Sequence, residues 1–282
     1  PLYTTQGLWI EGVNVSSDQD DTSAQFGFSA KANGMTIGYD RKLNDQLLAG
    51  VALTYGKTQA DINGSRDNSD IGTLQLSAYG SYEGNTAQGH AWLTDVVLNI
   101  GYNEHESERY LDGFSDQAHK ANFNSNQLGL RVTSSVDLKR GDWSIAPTLG
   151  FNYAKVDLDG YTESSGPAAL KVAGQSVEQL ELGIGISARR SFEVNAGKLE
   201  PYVGVMAWHD VNNEALSSNS RFVVGGDSFS SADSSDSANR YQVNFGASLQ
   251  VSEQSNLGFG FEHTKSGSFQ SNQWNMAYRH EF

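Results

Sequence analysis

The chain has 282 residues, with 30 Gly, 4 Pro, 12 Tyr, 13 Phe, 5 Trp and no Cys, a mixture that favours an all-β fold over helix. Nineteen Lys and Arg against 33 Asp and Glu leave a formal charge of −14, which argues against a phosphate-binding face and so against nucleic acid as a partner. The lack of Cys excludes a disulfide framework and thiolate metal sites, and no apolar run nears the ~18 residues of a membrane-spanning helix.

The opening PLYTTQG lacks the basic start and apolar stretch of a secretory signal. We expect residues 1–7 to be the remnant of a linker and residues 8–282 to form a single domain. From there the dominant pattern is period-two alternation, the mark of strands with two unlike faces. Its phase is ambiguous in LWIEGVNV near the start and again in LEPYVGVMAWH. It is clear for Met35, Ile37 and Tyr39, for Val51, Leu53 and Tyr55, for Leu74, Leu76 and Ala78, and for Val96, Leu98, Ile100 and Tyr102. Further runs follow at Leu128 to Val136, Trp143 to Tyr153 and Leu180 to Ala188. The last three are YQVNFGASLQV, LGFGFEHT and the closing QWNMAYRHEF. About twelve strands result, each near the ~9–11 residues that cross a bilayer at a tilt.

The connections are expected to alternate in length. Short turns fall at LND (43–45), EGN (83–85), KRGD (139–142), VNAG (194–197) and SEQSN (252–256), all rich in turn formers. Longer polar stretches lie around 16–25, 60–70, 104–120, 159–175 and 212–238. Short turns on one rim and long loops on the other match an outer-membrane barrel, with the short ones periplasmic and the long ones at the cell surface.

A soluble barrel buries its apolar face, whereas a membrane barrel turns it to lipid. Here the polar face carries Gly, Ser, Thr and Asn together with Asp95, Arg131, Glu181, Arg189, Glu262 and Arg279. A charge in lipid costs several kcal/mol, on the order of 2–4 at mid-depth, so these six are expected to face a hydrated lumen. They would either stiffen the barrel as cross-lumen ion pairs or line a conduit that does not grip a threading chain. Trp143, Tyr153, Tyr241 and Trp274 fall at strand ends on the apolar face and fit interfacial girdles.

The final Phe282, in phase with Tyr278 and Met276, resembles the C-terminal signature by which the barrel-assembly machinery reads outer-membrane barrels. Over residues 8–282 the chain resembles the translocator domain of autotransporters, most like the barrels of esterase-bearing ones. The resemblance rests on GYDRKLNDQLLAGVALTYGKTQADI (38–62), FNYAKVDLDGYTESSG (151–166) and the closing strands. It implies a passenger and a pore-threading linker helix ahead of the barrel, with any Asn-Asn cleavage site in that linker. It also implies outer-membrane lipids, lipopolysaccharide and the assembly machinery as partners, a monomer, and no cofactor.

Other segments carry residue types used in catalysis or metal binding. GGDSFS (225–230) holds a Gly-Asp-Ser, which in related esterases presents a nucleophile, here Ser228; its partner motif Asp-x-x-His occurs at Asp116–His119, upstream and in another loop. We expect no catalysis by this chain. Asp18, Asp20 and Asp21 lack the glycine turn and distal Glu of a calcium loop. The six His show no zinc spacing, and His105, His209 and His263 are expected at interfaces or in loops. The expected function is export of a passenger. The alternatives are a stand-alone pore or ligand-binding barrel, and the membrane anchor of a surface esterase.

Overall fold

The computed structural model describes residues 6–22, 26–111, 113, 115–164, 166, 168–212, 216–233 and 237–282. Among them every named element is a strand. In chain order these are β1 (Gln6–Gln19), β2 (Phe28–Lys42), β3 (Leu47–Ile62), β4 (Asn68–Asn85), β5 (Ala91–Leu111) and β6 (Ser115–Arg140). Then come β7 (Trp143–Leu158), β8 (Tyr161–Thr162), β9 (Leu170–Val172), β10 (Gln175–Arg190), β11 (Phe192–Val194) and β12 (Gly197–Asp210). The last are β13 (Leu216–Phe222), β14 (Phe229–Asp233), β15 (Asn239–Ser252), β16 (Ser255–Ser266) and β17 (Phe269–Glu281).

Twelve of them, β1–β7, β10, β12 and β15–β17, pair antiparallel with both neighbours and close into a barrel. Closure joins the ends of the chain: β1 pairs β17 from Gly7↔Glu281 to Gln19↔Phe269. The ladder therefore has no free edge, which is the condition for a sheet to cross hydrocarbon. The short β8, β9, β13 and β14 form a second sheet, built from the two longest connections. It is tied to the wall where Ser164 N–H donates to the Lys120 carbonyl at 2.7 Å.

The side-chain pattern is inverted relative to a soluble protein. The buried apolar residues among those described are only Ala52, Ala121, Ala169, Val172 and Trp208, whereas Asp40, Glu163, Glu181, Gln242, Arg279 and others are buried. Leu53, Leu76, Leu98, Ile184, Val205 and Met276 stand exposed on the outer face. Each such side chain left in water forgoes ~1.5–3 kcal/mol, so a continuous belt of them is stable only against lipid. Two aromatic rows edge the belt. Tyr55, Tyr102, Tyr153, Tyr241 and Trp274 are the last outward apolar residues before polar ones such as Lys57, Glu104, Lys155, Asn239 and Asn272. Tyr82, Trp92, Trp143 and Tyr278 mark the other edge, Tyr82 and Trp92 in a T-shaped contact at 6.3 Å.

Where the alternation was ambiguous, large aromatics turn inward and lie flat on glycines of the wall. A Cβ on Gly150 or Gly183 would come within 2.4–2.5 Å of the Trp208 ring, and one on Gly38 within 2.2 Å of Trp9. Glycine is required at these positions because only a missing side chain leaves room for the ring.

Several connections differ from the sequence expectation. The EGN stretch (83–85) is not a turn but the end of β4, and the turn follows at Thr86–His90. The stretch 104–120 is mostly ladder rather than loop, because β5 and β6 stay paired from Ala91↔Asp137 out to Arg109↔His119. The outer connection of β16 and β17 is only Gly267-Ser268, with Gly267 at φ +53°, so the outer rim is not long-looped throughout. Of the expected linker remnant, Pro1–Thr5 lie outside the described residues, while Gln6 and Gly7 are paired in β1.

Substituting Gly183 by Val should force Trp208 from its seat and destabilise the barrel by ~1–3 kcal/mol. Gly72→Ala, with nothing within 4 Å of its new Cβ, should be near neutral. Urea unfolding in detergent, followed by tryptophan fluorescence, separates the two.

Candidate functional site

The lumen is organised by carboxylates and guanidinium groups held by neighbouring strands. Toward the short-turn rim, Arg279 of β17 donates two hydrogen bonds of 2.6 Å to Asp40 of β2, reaching past β1. Tyr79 O–H donates to the same carboxylate at 2.9 Å, and Trp9 Nε1 donates to Tyr79 at 2.6 Å. Arg279 also lies 3.4 Å from Glu281. Both partners of the main pair are nearly sealed from solvent, with side chains 5% and 4% exposed. Such a pair holds only when its remaining lone pairs are satisfied, and Tyr79 supplies that bond.

A second cluster sits nearer the long-loop side. Arg240 of β15 forks onto Glu181 of β10 at 2.8 and 2.7 Å, and Asn152 of β7 donates to Glu181 at 2.9 Å. Trp208 Nε1 donates to Gln242, whose amide donates to Glu262 at 2.6 Å. The guanidinium groups of Arg131 and Arg240 lie 5.2 and 5.1 Å from the Trp208 ring centre. A third pair, Arg189–Asp137 at 2.9 Å, braces β10 against β6. Between these clusters is a cavity of about 1120 Å³, lined by eight carboxylate residues against five cationic ones. The interior is thus hydrated and mildly acidic, with its strongest charges engaged with one another.

Asp95, Arg131, Arg189 and Glu262 line this cavity, and Glu181 and Arg279 are buried in the two clusters. Trp143, Tyr241 and Trp274 are exposed on the outer face, as are Met276, Tyr278 and Phe282. Tyr153, beside inward Asn152, takes the outward parity. Residues that alternation did not pick out include Trp9, Asp40, Tyr202 and Trp208. The available signal was glycine on the neighbouring strands.

The candidate chemistry disperses. Ser228 is exposed between β13 and β14, Asp116 pairs with Arg66 at 3.2 Å, and His119 is buried in β6. Asp21 accepts a 2.6 Å bond from Gly27 N–H, so it caps loop backbone. His209 and His263 bond outward-facing Asn239 and Asn272 at 3.0 and 2.9 Å. Among the described residues, no group of three or more His, Asp or Glu is arranged to hold a metal.

His105, expected at an interface or in a loop, instead turns inward above the lipid belt. It stacks on Phe123 at 4.6 Å, and Phe123 stacks on Tyr161 of the second sheet at 4.4 Å. Its Nε2 lies 2.8 Å from Ser125 Oγ, which already accepts a bond from Asn103 and so is free to donate to a neutral imidazole. Burial holds the His105 pKa below its ordinary 6.5. Beside the stack Arg109 forks onto buried Glu163 at 2.8 and 2.6 Å, pinning the second sheet to the β5–β6 hairpin.

A closed twelve-strand wall, apolar outside and charged within, defines an outer-membrane β-barrel. The chain matches the Autotransporter beta-domain family over residues 8–262 and belongs to that family. Its fold is that of the translocator domain of the autotransporter NalP from Neisseria meningitidis, at TM-score 0.76 and 12% identity, covering 99% of this chain and 89% of that one. The beta domain of the Bordetella autotransporter Brka gives TM-score 0.72 at 14% identity, covering 99% and 100%. Outer membrane protein B of Rickettsia prowazekii is 23% identical over 98% of this chain and 17% of its own length. Esterase EstA of Pseudomonas aeruginosa is 24% identical over 64% and 28%. The chain thus spans less than a third of these two relatives.

Two outcomes follow. Asp40→Ala or Arg279→Ala alone should cost ~3–5 kcal/mol by stranding a buried charge, and the double variant should cost less than their sum. Equilibrium unfolding in detergent measures the cycle. Because the His105 pKa is depressed in the folded state, its contribution is full above about 6.5 and declines as pH falls below that value. Limited proteolysis of the outer loops should therefore accelerate from pH 7.5 to pH 5, and His105→Phe should flatten that dependence.

Proposed function

We propose that this barrel is the outer-membrane translocator of a longer protein, and that it exports a passenger preceding it in the chain. Family membership and outer-membrane location support the reading. The observation that carries it is a polar lumen whose strongest charges are engaged within the wall. Asp40 with Arg279, Asp137 with Arg189 and Glu181 with Arg240 engage the more buried of these charges with one another rather than with a polypeptide in transit. The acidic excess along the cavity favours a linker with basic residues on the face it turns to the wall.

The passenger, its linker helix, outer-membrane lipid and lipopolysaccharide, and the assembly machinery are the proposed partners, with the barrel acting as a monomer. Residues 1–5 then belong to the linker end, and the barrel begins at Gln6 with β1. Met276, Tyr278 and Phe282 are proposed as the assembly signal, and Trp143, Tyr153, Tyr241 and Trp274 as membrane-interface anchors. Esterase EstA among the relatives makes an ester hydrolase one reading of the passenger. We assign the barrel itself no catalytic part: Ser228→Ala should leave any hydrolysis by the full-length protein unchanged.

The test is surface display. A signal peptide, a reporter passenger and a linker placed before the barrel should yield a passenger that external protease removes from intact cells. A correctly folded barrel with its passenger left in the periplasm would refute the proposal. In the same assay, deleting Phe282 should lower the assembled fraction, seen as heat-modifiable mobility, without changing the stability of barrels already folded.

A further inference from the structure

The lipid-facing belt is not of one height around the barrel. On β5 the outward residues are apolar or uncharged from Trp92 to Tyr102 before Glu104 and Glu106. On β7 they run from Trp143 to Tyr153, and on β15 from Tyr241 to Val251. Ten positions at a rise of ~3.3 Å and a tilt of ~40° give a belt of about 25 Å, the usual hydrocarbon height.

Around the closure the belt shrinks. On β1 only Leu8 and Ile10 face out before Gly12, Asn14 and Ser16, and on β2 only Tyr39, Ile37 and Met35 before Asn33 and Lys31. On β16 Leu257, Phe259 and Phe261 give way to His263 and Lys265. On β17 the run from Trp274 to Tyr278 is bounded by Asn272 and His280. Four positions correspond to only about 10 Å.

The outward polar groups here are bonded along the wall surface. Asn14 Nδ2 donates to Asn33 Oδ1 at 2.8 Å, and His263 Nδ1 lies 2.9 Å from Asn272 Oδ1. These pairs flank Trp274, whose direct neighbour on β1 is Asn14. The short belt is therefore polar at its upper boundary, with residues that resist entry into hydrocarbon.

We propose that the contiguous facet β16–β17–β1–β2 is a lipid-recognition surface for thinned hydrocarbon, preferring short acyl chains, while the opposite wall meets a bilayer of ordinary thickness. A wall shorter than the bilayer is accommodated by compressing the lipid beside it. Short chains need the least compression, so they enrich there. The first and last strands, whose pairing closes the barrel, then lie where the membrane is thinnest.

The chain has no Cys, so single reporters are unambiguous. A fluorophore is attached at Ile10→Cys on the thin facet or at Leu98→Cys on the tall wall, in the 282-residue chain folded into vesicles. The vesicles mix phosphatidylcholines of twelve- and eighteen-carbon chains in equal amounts, with bromine on one species at a time. The Ile10 label should be quenched at least ~twofold more by the brominated short-chain lipid than by the long-chain one, with no such preference at Leu98. Equal quenching at both sites overturns the proposal, as does full shielding of the Ile10 label from both lipids, which would mark a protein partner face. Asn14→Leu with Asn33→Leu, which raises the belt, should abolish the preference if it folds. The two labels decide the matter without it.

Discussion

The structure depends first on the need of a backbone in hydrocarbon to satisfy every N–H and C=O within the protein. A sheet meets it only by closing on itself, so pairing β1 with β17 along thirteen residue pairs is what permits all the rest. Once closed, each strand has one face for lipid and one for the lumen, and alternation of side chains becomes obligatory. A shift of one residue at the seam would send Arg279 and Glu281 into lipid and Tyr278 inward. The Asp40–Arg279 pair makes that register distinguishable from its neighbours, because only one alignment brings the last strand's guanidinium to the carboxylate of the second.

The same closure makes the interior a problem of polar packing. A barrel of twelve strands has more interior than its backbone can fill, and charges placed there lose part of their hydration. Forked Arg–carboxylate pairs with amide or phenol partners offset that loss. Aromatic rings fill what remains by lying on glycines, so bulk and absence alternate around the wall at Trp208 and Gly183 or Tyr79 and Gly50. The result is a wall braced between neighbouring strands. A passage through the middle is compatible with that arrangement, because its strongest charge pairs run along the wall.

The sequence displayed this wall because period two survives in any strand with unlike faces. Leu180 to Ala188 and Tyr241 to Val251 could be read directly, and so could the inward charges at Glu181 and Arg189. The signal failed where its physical basis fails. The phase is ambiguous around Trp9 and Trp208, and their inward direction is decided by Gly38, Gly150 and Gly183 on other strands, which no local window contains. Residues 104–120 looked like loop because both faces are polar there, yet a hairpin that rises above the lipid has no reason to be apolar on either side. The Arg109–Glu163 fork joins segments far apart in sequence, and neither residue lies in a pattern that would announce the other.

That outer hairpin obeys a different solvent from the barrel beneath it. Above Tyr102 the wall meets water on its outer face, so lipid no longer favours apolar residues there, and order must come from a small core of soluble kind. Ala121, Ala169 and Val172 supply it, closed over by the His105–Phe123–Tyr161 stack and the Arg109–Glu163 pair. Three of the five buried apolar residues among those described belong to this small assembly, although it comprises a minor part of the chain. Its stability rests on a few contacts, one of them a histidine held neutral by burial, whereas the barrel rests on a closed ladder. The two are held by contacts of different kinds: a ring stack and a charged fork for the outer sheet, continuous antiparallel pairing for the wall in the membrane.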